Sequence, residues 1–101
     1  MSEKEVKKEL KLEIQVDEDV AQGVYSNLAV VNHSDAEFTL DFIFVQPQAP
    51  RAKVRSRIIA SPKHVKRLLL ALQENLKSYE KQFGVVDIGS PAETPQPSDY
   101  H

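Results

Sequence analysis

The stretch Ser61-Pro62-Lys63-His64-Val65-Lys66-Arg67-Leu68-Leu69-Leu70-Ala71-Leu72-Gln73-Glu74-Asn75-Leu76-Lys77-Ser78-Tyr79-Glu80-Lys81-Gln82-Phe83-Gly84 decides the architecture. Val65, Leu68, Leu69, Leu72, Leu76, Tyr79 and Phe83 recur at steps of 3, 1, 3, 4, 3 and 4, which traces a single apolar stripe along a 3.6-residue helix. Ser61 supplies an N-cap oxygen, and Pro62 stands where a missing N–H costs nothing. Gly84 is a suitable C-terminal cap. The pattern predicts one helix over Pro62 to Phe83, roughly 33 Å long at 1.5 Å per residue.

Everything before the helix reads as strand and turn. Lys53, Arg55 and Arg57 alternate with Val54, Ser56 and Ile58, predicting a strand from about Ala52 to Ile59. Gln46-Pro47-Gln48-Ala49-Pro50 is a loop, because its prolines remove two backbone donors. Upstream, Phe38, Leu40, Phe42 and Phe44 alternate with Thr39, Asp41, Ile43 and Val45, giving a strand with an aromatic inner face. Asn32-His33-Ser34-Asp35 has turn chemistry. The segment from Val24 to Asn32 reads as a strand apolar on both sides. Leu10, Leu12, Ile14 and Val16 alternate strictly with Lys11, Glu13 and Gln15, predicting a half-buried first strand. Asp17-Glu18-Asp19 breaks that pattern, and the connection to Gly23 has room for one helical turn.

The expected fold class is therefore α+β: a four-stranded antiparallel meander, followed by one long C-terminal amphipathic helix packed on one sheet face. With 101 residues there is room for one domain. The expected division is a flexible N-terminus over 1–8, a single α+β domain over 9–88 and a disordered, proline-containing tail over 89–101. Whether Val85-Val86-Asp87-Ile88 docks as a further edge segment stays open.

Composition narrows the function classes. The chain has no cysteine and three scattered histidines, so neither disulfides nor a histidine-based metal site is expected. Three glycines leave no phosphate-cradling loop, and no Walker or dinucleotide motif occurs. Ser26, Ser34, His33 and Asp35 lie close in sequence, but no glycine-rich elbow accompanies either serine, and turn capping accounts for them. No enzyme activity and no cofactor are expected. The charged opening Met1-Ser2-Glu3-Lys4-Glu5 precedes no apolar run, so a cytoplasmic protein without a membrane segment is expected.

Two constellations remain. Arg51, Lys53, Arg55, Arg57, Lys63, Lys66 and Arg67 are seven cations with no acid among them between positions 51 and 67. They make a candidate ridge for an anionic partner such as nucleic acid. The plainer alternatives are a solvated sheet face with Asp41 and Glu13 as cross-strand partners, or an edge strand protected by charge. Second, Tyr25, Ala29, Val31, Ile43 and Val45 are read as sharing the sheet face opposite the aromatic one. One helix covers one side of a sheet, so this face is a candidate interface with a second copy of the chain. The expected protein is a homo-oligomeric interaction module, a dimer or tetramer, with a polypeptide as a candidate partner.

Gly23-Val24-Tyr25-Ser26-Asn27-Leu28-Ala29, Glu37-Phe38-Thr39-Leu40-Asp41-Phe42, Ala52-Lys53-Val54-Arg55-Ser56-Arg57-Ile58-Ile59 and Ser61-Pro62-Lys63-His64-Val65-Lys66-Arg67-Leu68 together resemble a small bacterial and archaeal family known as domain of unknown function 3467. The resemblance spans about residues 10–84 and implies the domain boundaries but no activity. The order of consecutive strands and one long helix is also similar in topology to the protomer of the export chaperone SecB, an analogy of fold alone.

Overall fold

The computed structural model describes residues 11–89. A single helical turn, α1 (Glu18–Ala21), is followed by strands β1 (Leu28–His33), β2 (Phe38–Val45) and β3 (Ala52–Ala60), and then by the long helix α2 (Pro62–Phe83). The strands form an antiparallel sheet in the order β1-β2-β3, so β2 is central. The chain is α+β, with a three-stranded sheet and a C-terminal helix among the described residues.

Helix α2 has the predicted bounds. The Ser61 side chain accepts from the His64 N–H at 3.2 Å, and the Gly84 N–H donates to the Glu80 carbonyl at 2.8 Å. Gly84 sits at φ +101°, a conformation L side chains rarely adopt. Its expected packing is not found: α2 contains no buried residue, and its contacts with the sheet are sparse. A single residue, Ser61, joins β3 to α2.

The expected first strand is also absent from the described residues. Residues 11–17 adopt no regular structure, and Leu12 and Ile14 are 84% and 79% exposed. Leu10 lies outside the described residues, as do the expected flexible stretch 1–8 and, apart from Gly89, the expected tail. Alternation makes a segment capable of strand pairing, but it does not supply a partner. Val85-Val86-Asp87-Ile88 does not join the sheet, although the Val86 N–H donates to Glu80 Oε2 at 2.9 Å.

The buried set is small. Val30, Leu40, Asp41 and Ile43 are the only buried residues among those described, and three of the four lie on β2. The central strand therefore forms the core, but its phenylalanines are only half-buried. Asn27 closes one end of the β1–β2 ladder by acting as an extra strand residue. Its Nδ2 donates to the Val45 carbonyl at 3.0 Å, its Oδ1 accepts from the Val45 N–H at 2.8 Å, and its own N–H donates to the Ile43 carbonyl. Asn27→Ala removes two of these three bonds and is expected to cost about 1–2 kcal/mol, measurable by urea titration; Asn27→Asp, which keeps only the acceptor, should fall in between.

Candidate interaction surfaces

Pairing partners in an antiparallel sheet share a face, so the register assigns every strand residue to a side. Leu28 opposes Ile43, Val30 opposes Asp41, and Asp41 opposes Arg57. On the other side Ala29 opposes Phe42, Val31 opposes Leu40, and Phe44 opposes Lys53. The proposed interface set is therefore divided. Ile43 and Val45 lie opposite the aromatic face as expected, whereas Ala29 and Val31 lie on the aromatic face itself. Tyr25 joins them there, its ring meeting that of Phe44 edge-on at 6.0 Å. Ile43 is 1% exposed and belongs to the core of the chain. Alternation orders residues within a strand; it does not say how two strands are aligned.

The basic ridge is also split, by a β-bulge. Phe42 pairs with Ser56 but Ile43 pairs with Val54, which leaves Arg55 as an extra residue on β3. A bulge reverses the side on which later residues point. Lys53 and Arg55 accordingly fall on the aromatic face, where an open groove of about 430 Å³ is lined by Phe44, Gln46, Arg51, Ala52, Lys53 and Arg55. Arg57 points to the other face. There its Nε and Nη2 donate to Asp41 Oδ1 and Oδ2 at 2.7 and 2.8 Å. Lys63, Lys66 and Arg67 lie on the first turns of α2 and are exposed. Three of the seven cations thus gather at one groove, three lie along the helix, and one is held in a structural ion pair.

Asp41 is 1% exposed and Arg57 is 57% exposed. A buried carboxylate is costly unless it is paired and hydrogen-bonded, and the two-point grip of a guanidinium meets both needs. Asp41 is the single acid within the apolar run of β2. That isolation marks it in the sequence as a residue requiring a cation, and cross-strand pairing delivers Arg57. Of the expected turn Asn32-His33-Ser34-Asp35, Asn32 and His33 instead end β1, paired with Thr39 and Phe38, and Ser34 serves the turn, its Oγ accepting from the Ala36 and Glu37 N–H groups at 3.1 and 3.2 Å.

The largest feature that sequence reasoning placed inside the fold is on its outside. Leu69, Leu72, Leu76, Tyr79 and Phe83 on α2 are all at least half exposed, with Leu72 at 59% and Phe83 at 66%. The Tyr79 and Phe83 rings lie one helical turn apart with centroids at 4.9 Å, forming a continuous aromatic end to the stripe. No helix among the described residues is long and apolar enough to cross a membrane.

A family model described as Protein of unknown function (DUF3467) matches residues 1–88, and the chain belongs to that family. No curated protein and no solved structure matches the chain.

Proposed function

We propose that this protein is a non-enzymatic, homo-oligomeric interaction module whose α2 stripe is covered by a second copy of the chain. The observation that carries this reading is the exposed stripe itself. A helix with one apolar face in water and no buried residue obtains little stability from its own sheet, and most helical stability in proteins comes from packing such a face. The small buried set agrees: four buried residues among those described are few for a domain without disulfides. In such an assembly the apolar stripe of α2 would be covered. A polypeptide partner would meet the remaining half-exposed aromatic face.

The test is particle mass by light scattering across a dilution series of the purified chain. A mass of two or more chains at micromolar concentration supports the proposal. A monomer at the highest soluble concentration defeats it.

A second reading draws on the groove formed by Phe44, Arg51, Lys53 and Arg55, in which this protein would bind nucleic acid. Such binding should weaken steeply with salt. The double substitution Lys53→Glu/Arg55→Glu should abolish it, whereas neutralising either residue alone should lower the salt slope by about one. Absence of DNA and RNA retention at low salt would dispose of this reading.

A further inference from the structure

We infer that residues 11–16 of one copy add as a fourth strand to the outer edge of β3 in a second copy. This rests on the homo-oligomer reading above and specifies where one of its contacts lies. The segment is built for pairing: Leu12, Ile14 and Val16 lie on one side and Lys11, Glu13 and Gln15 on the other. In its own chain it is among the most exposed apolar sequence described and pairs with no strand.

The sheet offers two edges, β1 and β3. Three features select β3. The first is charge: residues 11–19 carry four acids, Glu13, Asp17, Glu18 and Asp19, against Lys11 alone, while β3 carries Lys53 and Arg55 on one face and no acid, its Arg57 being held by Asp41 on the other face. Strand β1, Leu-Ala-Val-Val-Asn-His, has no Lys or Arg to answer the acids. The second is length, because β3 has nine residues and β1 six. The third is the pattern of sides. Ahead of the bulge, β3 presents Ala52 and Val54 on one face and Lys53 and Arg55 on the other. An added strand can therefore continue the apolar side with Leu12, Ile14 and Val16 while setting Glu13 beside the cations.

The occupant is a second copy because in its own chain the segment lies exposed and pairs with no strand. Addition to β3 also covers the longer of the two edges of the sheet among the described residues, and an uncovered strand edge invites non-specific association.

Ile14→Pro tests this in the full chain, since proline removes a ladder donor from a segment that packs on nothing in the single copy. The expected result is self-association weakened at least about tenfold, with unchanged helical circular dichroism. If the wild-type chain assembles and Ile14→Pro assembles equally well, the strand addition is wrong and the module reading survives. If the wild type is monomeric throughout, both fall. The absence of cysteine permits a second measurement. A mixture of Gln15→Cys and Lys53→Cys chains under oxidised glutathione should yield a disulfide-linked product of two chains joining the two variants. Closure only within a single chain carrying both substitutions would overturn the choice of a second copy.

Discussion

Leu72→Glu combined with Leu76→Glu is expected to reduce the assembled protein to monomers while leaving the helix formed. Both leucines are at least half exposed in the single chain, so neither substitution opens a cavity in the existing core. Glutamate is close to leucine in helix propensity, and the isolated helical content should hardly change. In an assembly that covers the stripe, each leucine contributes about 1.5–3 kcal/mol of burial, and the pair about 3–6 kcal/mol. That corresponds to a dissociation constant raised by roughly two to four orders of magnitude. Sedimentation velocity over a dilution series reads the effect directly. An unchanged association constant would mean that the stripe faces solvent in the working protein and that the oligomer, if any, is built elsewhere.

Arg57→Ala should produce the largest loss of stability among single substitutions outside the hydrophobic core. It withdraws both guanidinium bonds from a carboxylate that is 1% exposed. Breaking a buried pair by removing one partner costs roughly 3–5 kcal/mol, and the lower end applies here because Arg57 itself is half in water. For a domain of this size about 3 kcal/mol corresponds to a fall in melting temperature of roughly 12–24 °C. Asp41→Leu/Arg57→Met, which replaces the pair by apolar groups, should recover most of the loss. A change within about 0.5 kcal/mol for Arg57→Ala would place the interaction in the class of ordinary surface pairs.

These two substitutions address different levels of the structure, and their residues differ in how readable they are. The helix is legible to the residue because its signals are local: a cap, a proline, a 3.6-residue stripe and a terminal glycine all act within a few positions of one another. Strands β2 and β3 are legible for the same reason, through alternation and the prolines between them. The Asp41–Arg57 pair is partly legible, since a lone acid in an apolar strand requires a cation nearby. The division of the basic ridge is not. No glycine or other local signal marks the bulge at Arg55, and simple alternation placed Arg57 beside Lys53 and Arg55 on the same face. The division of Tyr25, Ala29 and Val31 from Ile43 and Val45 was hidden likewise, because it depends on how β1 aligns with β2.

The amphipathic stripe of α2 and the alternating segment 11–16 were both written in the order of the residues, as was the need of each for a partner. Periodicity states that an apolar face exists, because it follows from the geometry of a helix or strand taken alone. It carries no information about which surface meets that face. Tertiary structure decided, by its strand register and by the bulge, which residues of the three strands share a face. It leaves both the helix stripe and the segment 11–16 exposed within the single chain, so the burial that each could provide is not made there.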